Sequence, residues 1–233
     1  MKKSVCCVLM IAACTVCSQP TAHAQFEGIV ESRNLTVDET DSVQKFIMTI
    51  CLSKGMMRVH NSAIGSTPPS TIIYRNDKGV FWVLNEEEKT YIEVLQNPEE
   101  GKDLTMPGAG KEEKPVIRKS GKKKKILGYS CEQYIVKHPG ELTEIWGTKA
   151  LTGLLKAMTS VLGATQPEAG ESWSDELTKI GVYPLVASTK IDGKTVESQE
   201  VTRIERRTLA RDLFELPQGY KRAKVEGGME RKD

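Results

Sequence analysis

Residues 44–62 read QKFIMTICLSKGMMRVHNS, and this stretch decides the fold class. Gln44 to Ser53 and Met56 to Ser62 are runs rich in β-branched and large apolar residues, parted by Ser53-Lys54-Gly55, a combination that accepts hairpin geometry. The same grammar extends in both directions. Phe26 to Arg33 precedes the pair, while Thr71 to Arg75, Gly79 to Asn85 and Thr90 to Leu95 follow it. Asn76-Asp77-Lys78-Gly79 and Asn85-Glu86-Glu87-Glu88 are hairpin-length loops. Loops this short leave little room for a crossover helix, so the reading is an antiparallel meander.

Beyond it the pattern changes twice. A polar interval, residues 96–121, carries Pro98, Pro107 and Pro115 and reads as a long surface loop or flexible insertion. Strands resume at Lys124 to Leu127, Tyr129 to Lys137, Leu142 to Trp146, Val182 to Ile191 and Thr195 to Glu205, the last two joined by Asp192-Gly193. Residues 149–180 form a helical insertion. Thr148 can cap its first helix and Gly163 close it, with Leu151, Leu154, Leu155, Met158, Val161 and Leu162 on one stripe. The second helix has Ser172 and Asp175 at capping spacing, Trp173, Leu177 and Ile180 on one face, and Gly181 at its end. Residues 25–221 thus make one mainly β (α+β) domain, followed by a flexible charged tail at 222–233.

Residues 1–24 read as a signal peptide: Lys2 and Lys3, an apolar run from Val5 to Val16, and Ala22-His23-Ala24 before a cut between Ala24 and Gln25. Ile11-Ala12-Ala13-Cys14 offers a competing lipobox, with lipidation at Cys14. The expected location is periplasmic, or membrane-tethered in the second case. The apolar run is shorter than the ~20 residues a spanning helix needs, and no later segment approaches that length. Removing residues 1–24 takes away two lysines and no acid, leaving 31 basic against 31 acidic side chains. A neutral chain argues against nucleic acid as a partner. Cys51 and Cys131 are the cysteines left, and the sequence keeps two readings open: a disulfide, or two buried thiols on separate strands.

Three further stretches carry a resemblance. Ile126-Leu127-Gly128-Tyr129-Ser130-Cys131-Glu132-Gln133-Tyr134, Glu144-Ile145-Trp146-Gly147-Thr148 and Leu213-Phe214-Glu215-Leu216-Pro217-Gln218-Gly219-Tyr220, with the Trp82 to Tyr91 hairpin upstream, resemble the bacterial envelope family called domain of unknown function 4412. That family is similar to the superfamily of the lipoprotein carriers LolA and LolB. The resemblance implies an unclosed antiparallel β half-barrel with both amphipathic helices packed on its concave face. It also implies a non-enzymatic protein that binds or carries a lipid, an acylated molecule or another hydrophobic ligand, with lipoproteins or other envelope proteins as partners. Leu151, Leu154, Leu155, Met158, Val161, Leu162 and Trp173 are then candidate cavity lining. The bland alternative is that this stripe is core and the protein an envelope scaffold with a filled interior.

No catalytic constellation, metal set or cofactor motif emerges. Gly193-Lys194-Thr195 lacks the first glycine of a phosphate loop, since Ser188 stands there. Cys131 has no local cysteine-protease signature, and His60 and His138 are the histidines outside the leader. Met56, Arg58 and His60 would share a strand face, but an arginine between two ligands repels a cation. Arg118-Lys119-Ser120-Gly121-Lys122-Lys123-Lys124-Lys125 is the strongest charge feature. Lysines there discourage edge pairing, and Lys122, Lys123, Lys124 and Lys125 are also candidates for contact with anionic lipid.

Overall fold

The hairpin at Lys54-Gly55 forms because both residues take positive φ, 44° and 79°, the twist that fits two right-twisted strands. It joins β2 (Val43–Ser53) to β3 (Met56–Ile64). The structure is a computed structural model that describes residues 26–38, 40–64, 69–96, 116–138, 140–162 and 173–223. The leader, with Cys14, Ala24 and Gln25, lies outside the described residues, as do Gly163, Ser172 and the tail from 224.

The other strands are β1 (Gly28–Val37), β4 (Ser70–Arg75), β5 (Val80–Asn85), β6 (Thr90–Leu95), β7 (Val116–Ile126), β8 (Tyr129–His138), β9 (Glu141–Thr148), β10 (Tyr183–Ile191), β11 (Lys194–Arg206) and β12 (Lys221–Arg222). They form one open sheet in the order β12-β6-β5-β4-β3-β2-β1-β11-β10-β9-β8-β7. The eleven strands read from the sequence pair antiparallel, as short loops require for most neighbours, while β9 and β10 pair across the helical segment. β1 pairs with both β2 and β11, joining the first and last parts of the chain.

Three differences have physical causes. β7 begins at Val116, inside the stretch expected to be loop. It accommodates Gly121 (φ 82°) through a bulge between Lys119 and Lys123, a form a periodicity argument reads as a break. α1 spans Thr152–Leu162, because Thr148 Oγ1 accepts from the Ala150 amide in a preceding turn rather than capping the helix itself. β12 adds to β6 in parallel through two residues, too short to leave a pattern.

α2 (Trp173–Lys179) ends at Gly181 (φ 70°) in a Schellman motif: the Val182 amide donates to Leu177 O (2.9 Å) and the Gly181 amide to Thr178 O (3.0 Å). The accompanying apolar contact is present, since Leu177 and Val182 are buried together with Tyr134, Val136, Ile145 and Ala187. Ile180, expected on the same face, is 41% exposed. Thr152 Oγ1 donates to Gly181 O, tying the start of α1 to the end of α2. Gly147 is required by contact rather than by φ: a Cβ there would meet Val182 Cγ1 at 2.4 Å.

Candidate functional site

Register places each residue of β1–β6 on one of two faces. One face carries the row Val30, Ile50, Val59, Ile72, Val83, Ile92, paired strand to strand, and beside it Leu52, Met57, Tyr74, Phe81, Val94. The other carries Ile29, Cys51, Arg58, Ile73, Trp82, Glu93. Both rows are mostly apolar, so both need cover.

The second face has its cover. The segment 207–220, with its 3₁₀ turn Arg211–Phe214, lays Leu209 and Phe214 onto Cys51, Met56, Ile73, Val80, Trp82 and Leu84. Arg75 lies fully buried beneath it. Its guanidinium donates to Asp77 (2.7 and 2.8 Å) and to Phe214 O (3.1 Å), pairs with Glu215 (2.6 Å), and sits over Trp82. The hydrogen bond from Arg75 holds both carboxyls below their ordinary range, Asp77 and Glu215 alike. The one local trace of this clasp in the sequence is an arginine at the end of an apolar strand, two residues before an aspartate.

The first face is covered in part. α1 lays Leu151, Leu154, Leu155, Ala157 and Val161 into a cluster with Phe26, Val30, Ile50, Leu52, Met57, Tyr183 and Leu185. Leu151, Leu154 and Val161 are at most 1% exposed, so this part of the proposed lining is close-packed against the sheet. Met158 and Leu162 lie at the edge of that cluster, with Val59 and Tyr74. Asn76 Nδ2 donates to Ser160 O (3.0 Å) and fixes the far end of the helix at the β4–β5 turn. Beyond the helix Ile72, Tyr74, Phe81, Val83 and Val94 are half-buried and Ile92 is 41% exposed. Tyr74 and Phe81 stack with ring centroids 5.5 Å apart. Sequence periodicity marks these positions as core; their incomplete cover follows from where α1 stops. Trp173 opens α2, and its side chain lies outside the described residues.

Cys51 and Cys131 are free and buried, in different clusters: Cys51 under the C-terminal segment, Cys131 on the α1 side. The disulfide reading is therefore replaced by that of two buried thiols. Burial pushes both thiols up, away from nucleophilic thiolate. Met56, Arg58 and His60 do share a face, but each is engaged elsewhere: Met56 in the core, Arg58 on Leu213 O (3.3 Å), His60 through Nδ1 on Thr71 Oγ1 (2.8 Å). Thr71 Oγ1 donates to Glu86 (2.6 Å), which leaves its oxygen to accept from His60 Nδ1–H. Thr71 is fully buried, so this chain of contacts ties β3, β4 and the β5–β6 loop together beneath the surface. Among the described residues no three His, Cys, Asp or Glu gather as a metal site. No described helix is long and apolar enough to cross a membrane.

The lysines lie on β7, the edge strand. Lys119 and Lys123 pair with Glu132 (2.6 and 3.5 Å), and Lys124 Nζ sits 4.2 Å over the Trp146 ring.

Residues 26–220 match the family model described as domain of unknown function (DUF4412). The chain belongs to this family. The motifs by which DUF4412 was legible turn out to be joints of the fold: Phe214 and Glu215 close the clasp, Gly147 admits Val182, and Cys131 and Tyr134 fill opposite faces of β8. No curated protein matches the chain. Among solved structures, an uncharacterized conserved protein from Thermus thermophilus aligns at 10% identity over 84% of this chain and 90% of its own, with a TM-score of 0.49. A LolA superfamily protein from Nitrosomonas europaea aligns at 10% identity over 82% and 91%, with a TM-score of 0.35. MucB, in complex with MucA(peri), aligns at 9% identity over 82% of this chain and 55% of its own, with a TM-score of 0.39.

Proposed function

We propose that this DUF4412 protein is a non-enzymatic, exported binder or carrier of a hydrophobic ligand, a lipid or acyl chain, held on the uncovered part of the helix-side face. The observation that carries this reading is the pair of cross-strand rows, Tyr74, Phe81, Val94 and Ile72, Val83, Ile92, left half-covered beside α1. A contiguous apolar surface of this kind, next to a helix end with Met158 and Leu162 at its margin, suits an alkyl chain laid along the sheet. Tyr74 and Phe81 supply rigid ring area with little rotamer entropy to lose. Leu151, Leu154, Leu155 and Val161 anchor the helix in this reading, rather than touching the ligand.

Native mass spectrometry of the purified protein offered oleate or phosphatidylglycerol tests it. Wild type should take up at least one of them, and Ile72→Asn/Phe81→Ser should not. A wild-type protein that remains empty with both rejects the proposal. The close packing under α1 favours a second reading, a scaffold whose apolar rows meet an envelope protein; an empty protein that crosslinks in cells through Tyr74 and Phe81 would support that one instead.

A further inference from the structure

The turn between β7 and β8 places an apolar side chain where backbone geometry disfavours it. Leu127 and Gly128 take φ 49° and 82°, the two-residue turn that Asn-Gly satisfies best. A leucine with its Cβ in the left-handed region is strained, and here burial brings no relief, because Leu127 is 44% exposed. Four lysines, Lys122 to Lys125, lead up to this tip on the outermost strand of the sheet. Lys123 is partly engaged with Glu132 and Lys124 with Trp146, while Lys122, Lys125 and Arg118 have no carboxylate partner among the described residues. At the other end of the same strand Val116 is 51% exposed.

We infer that the β7–β8 tip is a docking surface for an anionic phospholipid bilayer. Leu127 enters the headgroup layer, and Lys122 and Lys125, within five residues of it, lie against the lipid phosphates. Two observations select a membrane over other polyanions or a peptide strand. An exposed aliphatic side chain, Leu127, stands at the tip beside the cations, where a bilayer can receive it and a polyanion offers it nothing apolar. The bulge at Gly121 interrupts the pairing edge between Lys119 and Lys123, which opposes addition of an extended peptide. Bilayer docking at this tip is independent of ligand uptake by the apolar rows, which belong to β4–β6 at the other end of the sheet order.

Co-sedimentation with vesicles tests it, using phosphatidylcholine alone and phosphatidylcholine mixed with phosphatidylglycerol. Wild type should pellet with the mixed vesicles, stay in solution with phosphatidylcholine alone, and be released by salt. Lys122→Gln/Lys125→Gln should weaken the partitioning by about tenfold or more. Leu127→Asn should also weaken it while raising the thermal midpoint, because asparagine accepts the turn; a variant that bound less only through misfolding would show the opposite thermal shift. Equal pelleting with neutral vesicles, no pelleting with either, unchanged partitioning of both variants, or binding to duplex DNA without binding to vesicles would each overturn the inference.

Discussion

The two faces of β1–β6 are made of the same kinds of residue and end differently. Ile73 and Trp82 are at most 5% exposed beneath the C-terminal clasp, whereas their chain neighbours Ile72 and Phe81, turned to the other side, remain half-buried. One face is closed by a segment that brings its own apolar plug, Phe214, and its own charge partner for a buried arginine. The other is closed by a helix that reaches only part of the way. Apolar content by itself therefore does not make a core; what lies over it does.

The largest effect is expected where cover is complete. Phe214→Ala should destabilise the protein by about 3–5 kcal/mol in denaturant unfolding, through a cavity against Ile73 and Trp82; a loss under about 1 kcal/mol would mean the clasp is dispensable. Next comes the arginine. Asp77→Ala leaves the buried guanidinium with Glu215 and one carbonyl, and should cost roughly 1–3 kcal/mol. Acid should act on the same contact. Asp77 and Glu215 have folded values depressed from 3.8 and 4.5, so their contribution is full above those values and is lost as the pH falls through the folded ones. The thermal midpoint of wild type should drop below about pH 4, and that of Arg75→Met should drop less in the same range.

On the open face the order of effects reverses between stability and binding. Phe81→Ser should cost about 1–2 kcal/mol, less than Phe214→Ala, since the ring keeps part of its surface in water, yet it should abolish lipid uptake in native mass spectrometry. A cost as large as that of Phe214→Ala would show that the face is closed in solution. The smallest effect belongs to the thiols: reductant should leave the thermal midpoint unmoved, because Cys51 and Cys131 are free.

Strand after strand was legible because hairpin chemistry is local. Ser53-Lys54-Gly55 and Asp192-Gly193 announce their turns in adjacent residues, and the runs between them need only period two. The first half of β7 is illegible because its bulge hides a strand inside a Lys- and Gly-rich stretch, and the start of α1 is obscured because Thr148, placed like a cap, serves a turn before the helix. The stripe Leu151 to Leu162 was recognisable as buried, but its partner was not. Whether a helix lies over a cavity or directly on a sheet depends on the distance between two elements, and no residue of either encodes that distance alone.

The sequence by itself determined eleven of the strands in outline, the antiparallel pairing of those joined by short loops, the two helices and the neutral balance of residues 25–233. Only the tertiary structure decided which face each apolar row meets, that Arg75 and Glu215, 140 positions apart in the numbering, form one contact, and that the thiols stay apart. The reason is range: turns and alternation are fixed by neighbours in the chain, while cover, ion pairing and the reach of α1 are set by residues far away in sequence and close in space.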